Sequence, residues 1–275
     1  MAEPKETYTH GHVEAVVASH ATRTVEDSAA FLVPHLPRGV RLLDVGCGPG
    51  SITAGLARLA APGAVVGIDA SADVLETARA YLDEQGIDNV ELRTADVYKL
   101  PFPDATSDTG FDVAYAHQVH QHLADPVAAL TEIRRVLRPG GLVALREVDF
   151  GTMAAYPVDP VLDRWLEVYT AVHRANGGEP NAGRHLLSWV MEAGFVDPIP
   201  SSSTWTYADE PRRSHWGELW AERTTTPPFS TRAIELGVAD QGSLDEIADA
   251  FRRWAATPDG WFAFLHGEVI ARKPD

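Results

Sequence analysis

The chain has 275 residues, 45% of them hydrophobic, and a formal net charge of −16. That length allows one large domain or a core with a cap, and the acidic balance speaks against a general nucleic-acid binder. No apolar run approaches the roughly 18 residues of a spanning helix, the start MAEPKETYTHGH lacks the apolar stretch of a secretory signal, and the single cysteine, Cys47, excludes an internal disulfide framework. A cytoplasmic protein without membrane insertion is expected.

Residues 1–12 are polar, and a helical pattern follows over residues 13–36, with Val13, Val16, Val17, Val25, Ala29 and Leu32 on its apolar side. Thr24 and Asp27 have the spacing of a capping box, which places a break near Ala21. Residues 41–50, RLLDVGCGPG, combine an apolar run with glycines at the alternate positions Gly46, Gly48 and Gly50. They read as a buried strand, a tight turn and a helix start at Ser51. Glycine tolerates positive φ there and lets a ligand approach the backbone. A second apolar strand ends in Asp69, nineteen residues beyond Gly50. In a nucleotide-binding βαβ unit an acid at that point accepts from the ribose hydroxyls.

Ser71 caps the next helix and Gly86 ends it; residues 90–94 form a third strand with Asp96 and Val97 at its tip. A loop over residues 100–110 precedes a fourth strand at 111–116. Asp125 and Pro126 open a helix reaching residue 137, RPGG is a turn, and residues 142–148 form a fifth strand. This alternation predicts a doubly wound, mostly parallel Rossmann-like sheet with right-handed crossovers.

The glycine spacing is G-x-G-x-G rather than G-x-G-x-x-G, and Asp44 stands two residues before the first glycine. LLDVGCGPG, GIDAS, ADVYKLPFPD, FDVAYAHQVHQHLADP and RVLRPGGLVALRE together resemble class I S-adenosylmethionine-dependent methyltransferases of the ubiquinone- and menaquinone-biosynthesis type. YTHGH, GGEPNAGR, WGELWAER and HGEVIAR are also similar to a group of bacterial and fungal methyltransferases of mostly unassigned substrate. The resemblance implies S-adenosylmethionine as cofactor, with Gly46, Gly48 and Gly50 as its loop and Asp69 on the ribose. It places Ala70, Asp96 and Val97 around the adenine and His117 beneath the transferable methyl. One departure is the longer loop at residues 105–110.

The resemblance further implies a seven-stranded sheet, with strand six near residues 196–207 and strand seven returning antiparallel near 262–273. The whole of 1–275 is then one methyltransferase domain. A cofactor core occupies 40–150, residues 1–36 form an N-terminal helical flap with Tyr8 and Arg23 near the cofactor, and 151–193 and 208–261 are lid insertions. All three non-core pieces leave the same sheet edge, which implies an enclosed pocket. Trp216 and Trp220 share a helix face, and the lid is rich in indole. An apolar or aromatic small-molecule acceptor is therefore expected, methylated on carbon or oxygen and belonging to secondary metabolism or quinone-like chemistry. The proton acceptors expected are His120, His117 and Glu147; His122 is placed outward, and H-x-x-H-x-H is not read as a metal site. Other readings stay open: a catalytically silent cofactor-binding scaffold, methylation-triggered isoprenoid rearrangement or cyclisation, and a nicotinamide-dependent oxidoreductase, which the glycine spacing opposes. The oligomeric state, including a homo-oligomer, is not legible.

Overall fold

A computed structural model describes residues 23–275. Strands β1 (Leu42–Val45), β2 (Val65–Asp69), β3 (Val90–Thr94), β4 (Phe111–His117), β5 (Leu137–Tyr156), β6 (Val196–Tyr207) and β7 (Trp261–Arg272) form one sheet in the order β3-β2-β1-β4-β5-β7-β6. β7 alone runs antiparallel, between β5 and β6. This is the seven-stranded, mostly parallel Rossmann-like sheet that the alternation and the resemblance predict.

Alternate residues of the same strands feed opposite layers. Leu42, Val113 and Tyr115 pack with Val25, Leu32 and Leu56 on one face. Leu43, Ala114 and Ala116 pack with Leu130, Ile133 and Leu186 on the other. A parallel sheet covered on both faces therefore reads as continuous apolar runs. The first layer carries α1 (Val25–Ser28) and α2 (Ser51–Ala60), and the second carries α4 (Pro126–Val136) and α6 (Leu186–Glu192). Between α2 and α4 in the chain lies α3 (Ala72–Glu84), capped by the Ser71 hydroxyl, which accepts from Val74 N–H. Asp125 caps α4 the same way, and Pro126 occupies its first turn, where a missing N–H costs nothing.

A third apolar cluster lies beyond the carboxyl ends of β5 and β6 and the amino end of β7. It is built from α5 (Pro160–Ala175), α7 (Glu210–Thr225), α8 (Phe229–Glu235) and α9 (Gln241–Ala256), packed on Val148, Phe150, Phe262 and Phe264. Fully buried Trp165 stands at its centre, 4.5 Å from Trp220 and 5.1 Å from Phe251 between ring centroids. Among the described residues no helix is long and apolar enough to cross a membrane.

Two elements differ from the sequence expectation. The pattern over 13–36 lies partly outside the described residues. Within them, the Thr24–Asp27 capping box opens a helix of only four residues, and Val33–His35 form a 3-10 turn. Pro34 has no N–H to continue a helical ladder. The fifth strand, expected over 142–148, begins at Leu137 and runs on to Tyr156, absorbing the RPGG turn and the start of the expected insertion. The cause is remote: Ala154, Ala155 and Tyr156 pair with Ala263, Phe262 and Trp261, past an irregularity where Leu265 N–H donates to Thr152 Oγ1 at 2.8 Å.

Candidate active site

At the carboxyl end of β1 the backbone turns through Gly46, Gly48 and Gly50, with φ of 68°, 54° and 85°. A side chain on Gly46 would collide with Val119, whereas one on Gly48 would meet nothing within 4 Å. The loop therefore has one closed side and one open side. Asp69, ending β2, accepts from Gly48 N–H at 3.1 Å and from Ser71 N–H at 3.0 Å, tying the loop to the start of α3. Beneath it Asp44 is buried and accepts from the Thr53 hydroxyl at 2.7 Å. Burial pushes the Asp44 carboxyl up to about 7; Thr53 works against that and the Asp69 charge adds to it. Burial likewise raises the Cys47 thiol well above its usual range, so this cysteine is packing inside the turn. Ala70 follows β2, Asp96 and Val97 follow β3, and His117 ends β4. The residues expected around the cofactor thus share one sheet edge. Tyr8 lies outside the described residues.

Beside this edge is a cavity of about 810 Å³. The N-terminal segment (Arg23, Asp27), the stretch after β5 (Tyr169 of α5) and the insertion (Trp216, Trp220 and Arg223 of α7) all line it, together with strand residues of β5, β6 and β7. Residues of three stretches outside the core thus border one cavity. Gln118, at φ 55°, joins the cavity to the end of β4. Its amide oxygen accepts from Arg23 at 2.8 Å, so its nitrogen donates to His266 Nε2 at 2.9 Å. That fixes His266 as a neutral imidazole protonated on Nδ1. Burial, then the charges of Arg146 and Arg23, hold its pKa well below the usual imidazole range. Trp205 packs 4.5 Å from His266 and 5.6 Å from His117, linking cofactor edge and cavity wall.

The histidines of HQVHQH are distributed differently from expectation. His117 and His120 are buried and neither lines the cavity; His122, placed outward on helical spacing, does. The segment is a 3-10 turn over His120–His122, entered through the positive φ of Gln118, so a regular helical phase misassigns the faces. Glu147, fully buried, accepts from the backbone N–H of Val119 at 2.9 Å, of His120 at 2.7 Å and of Gln121 at 3.4 Å. Its Oε1 also lies 3.4 Å from His120 Nδ1. Its oxygens are thus occupied in fixing the turn. Nor does it pair with Arg146 or Arg184: Arg184 grips Asp149 bidentately, 2.6 Å at each oxygen, and Arg146 faces Glu268. Among the described residues no group of three metal-ligating side chains is assembled.

Sequence reasoning passed over Gln118 and His266, and took Trp205 only as part of the aromatic area outside the core and Arg146 only as a partner for Glu147. A signal was present for Arg146, since a guanidinium in the apolar run LVALREV has to find a partner or a ligand.

A methyltransferase domain model matches residues 36–193. Over the full length of both chains this protein is 34% identical to an uncharacterized methyltransferase of Schizosaccharomyces pombe. The core is 40% identical to a demethylmenaquinone methyltransferase of Lactiplantibacillus plantarum, over 41% of this chain and 47% of that one. Among solved structures, a phosphoethanolamine N-methyltransferase of Haemonchus contortus in complex with S-adenosylhomocysteine is similar in fold, with a TM-score of 0.52 and 20% identity over 90% of this chain and 52% of that one. The chain belongs to the methyltransferase domain family.

Proposed function

We propose that this enzyme methylates a small organic acceptor, aromatic or largely apolar, held in the cavity beside the end of β4. The observation that carries the proposal is the continuity of that cavity with the cofactor edge through Gln118, His117 and Trp205. Its lining is rich in aromatic rings, with Phe150, Tyr169, Trp205, Tyr207, Trp216 and Trp220 among them. Such walls suit a ring or a hydrocarbon.

In this reading Gly46, Gly48 and Gly50 offer the cofactor an open backbone surface, Asp69 receives the ribose hydroxyls, and Ala70, Asp96 and Val97 border the base. When bound, S-adenosylmethionine supplies a methyl group activated by a sulfonium. The chain supplies alignment and exclusion of water, which the enclosing α5 and α7 and the segment at Arg23 provide. A carbon or oxygen nucleophile also gives up a proton. We assign that proton to His122 rather than to His120 or Glu147, because His122 borders the acceptor space. Burial first, then His173, Arg23 and Arg223, hold its pKa well below the usual range, so it faces the acceptor uncharged. His117 stays beside the methyl as a positioning group. The 151–193 and 208–261 stretches act as the acceptor-side enclosure of a single domain.

Titration calorimetry tests the cofactor half. S-adenosylmethionine and S-adenosylhomocysteine are expected to bind at micromolar concentration and NADH not at all. Asp69→Ala should weaken both by at least about tenfold, the order expected for a lost charge-assisted hydrogen bond. Unchanged affinity in that variant would remove Asp69 from the site. The acceptor half is tested by S-adenosylhomocysteine release across a library of aromatic small molecules; release with none of them would favour a silent scaffold.

A further inference from the structure

Arg146 is 1% exposed, yet it borders the cavity. Taking a guanidinium out of water is costly and is tolerated when its donors are met. Here they are met on one edge only. Nε donates to Ser203 Oγ at 3.2 Å and lies 3.4 Å from Glu268 Oε1, and the guanidinium carbon sits 4.8 Å from the Trp205 ring centre. Among the described residues, Nη1 and Nη2 have no hydrogen-bond partner. Buried polar groups in folded proteins are nearly always paired, so two unpartnered nitrogens on one buried fork require an explanation.

Among the described residues the wall does not supply the missing acceptor. Asp27 Oδ1 is engaged in the capping box, accepting from Thr24 N–H at 3.1 Å and from the Ser28 hydroxyl. Glu268 is drawn to the other side by Ser201, at 2.7 Å, and Ser203. Among the described residues around the cavity four arginines stand against two carboxylates, in a chain of net charge −16. The lining thus has the opposite sign to the protein. Arg146 also stands in register with His117, and the two strands run parallel, so both side chains leave the same face at the cofactor end of the cavity.

We infer that the methyl acceptor is an aromatic acid whose carboxylate docks on the two Nη nitrogens of Arg146. This deepens the proposed function and rests on it. The planar fork matches a carboxylate bidentately, and the aromatic walls receive the remainder of the molecule. Arg146 is a specificity-determining residue in this assignment: it selects acids over their neutral analogues and sets which end of the acceptor points toward His117. At neutral pH it is charged, since burial lowers it only to about 10.

The test uses the full chain saturated with S-adenosylhomocysteine, with 2-naphthoate and the neutral 2-naphthamide as calorimetric probes. Naphthoate is expected to bind at least tenfold more tightly than naphthamide. The paired variant Arg146→Met/Glu268→Gln, which removes both buried charges together, should keep its S-adenosylhomocysteine affinity and bring the two probes to within about twofold. Arg146→Lys keeps the charge without the fork and should retain only part of the preference, so the proposal stays testable if the paired variant fails to fold. Equal binding of the probes by the unaltered protein, binding of neither, or a preference undiminished in the variants would overturn the inference. Failure of S-adenosylhomocysteine itself to bind would instead strike the methyl-transfer reading, so the two failures are separable.

Discussion

The two halves of the sheet make a site in different ways. At β1, β2 and β3 the site is backbone: three glycines within five residues, one carboxylate holding a peptide N–H, and a loop whose open side faces outward. At β5, β7 and β6 it is side chains, brought together from segments as far apart as Arg23 and Phe264. The first kind is written in consecutive residues, because local φ values shape it. The second exists only after the insertions have packed. A cofactor surface made of backbone is indifferent to side-chain identity outside a few positions, whereas a side-chain cavity can be respecified without touching the cofactor. The difference predicts that the halves can be damaged independently.

The largest expected effect is on the acceptor half. Trp165→Ala removes a fully buried ring packed against Trp220, Phe251 and Tyr169. It should cost about 3–5 kcal/mol of stability, the usual range for deleting a large core aromatic. The cluster it belongs to is separate from both core layers. S-adenosylhomocysteine affinity measured well below the new melting temperature should therefore stay within about threefold of the original. A collapse of both properties together would mean the halves form one cooperative unit and would break the comparison.

His122→Gln addresses the chemistry at the junction. With an acceptor that turns over, kcat should fall about a hundredfold, the low end for a lost general base, while cofactor affinity is kept. If the equivalent loss follows His120→Gln instead, with His122→Gln silent, the proton has been assigned to the wrong imidazole.

Much of the first half was legible because its signals are local. The glycine turn, the Ser71 and Asp125 caps, the Thr24–Asp27 box and the ends of β2 and β3 each depend on residues within a few positions. β6 and β7 were also placed correctly, from the topology that the resemblance implied. The continuation of β5 to Tyr156 was not legible, since the pairing that creates it comes from residues 261–263. The face of His122 was missed because one positive φ, at Gln118, resets the phase of everything after it. Arg146 and Glu268 were closer to view. Each interrupts an apolar strand, their charges are opposite, and the expected order puts β5 beside β7, so their pairing follows from register alone.

A smaller effect sharpens the cofactor side. Gly48→Ala adds a methyl group to a position at φ 54° where nothing lies within 4 Å. The left-handed backbone costs an alanine about 1–2 kcal/mol, and the fold should survive. The added carbon, however, occupies the open side of the loop, so S-adenosylhomocysteine affinity should fall about tenfold. Full retention of affinity would place the cofactor away from Gly48.

The smallest effect is a pH dependence that belongs to the cofactor half alone. Asp44 is raised to about 7 in the folded chain, mainly by burial, and lies near 3.8 when unfolded. Between those values the folded state holds more protons than the unfolded state, so this group's contribution to stability rises as pH falls from about 7 and levels off once the unfolded carboxyl is protonated as well. Above pH 7 the folded chain buries an ionised carboxylate that the unfolded chain leaves in water, and that cost is fully present. Asp44→Asn keeps an acceptor for the Thr53 hydroxyl and removes the charge. The variant without cofactor should melt higher than the original at pH 8, and the gap should narrow by pH 6. A gap independent of pH would mean that Asp44 is ionised throughout that range, and the loop would then carry its negative charge in the absence of the sulfonium as well as in its presence.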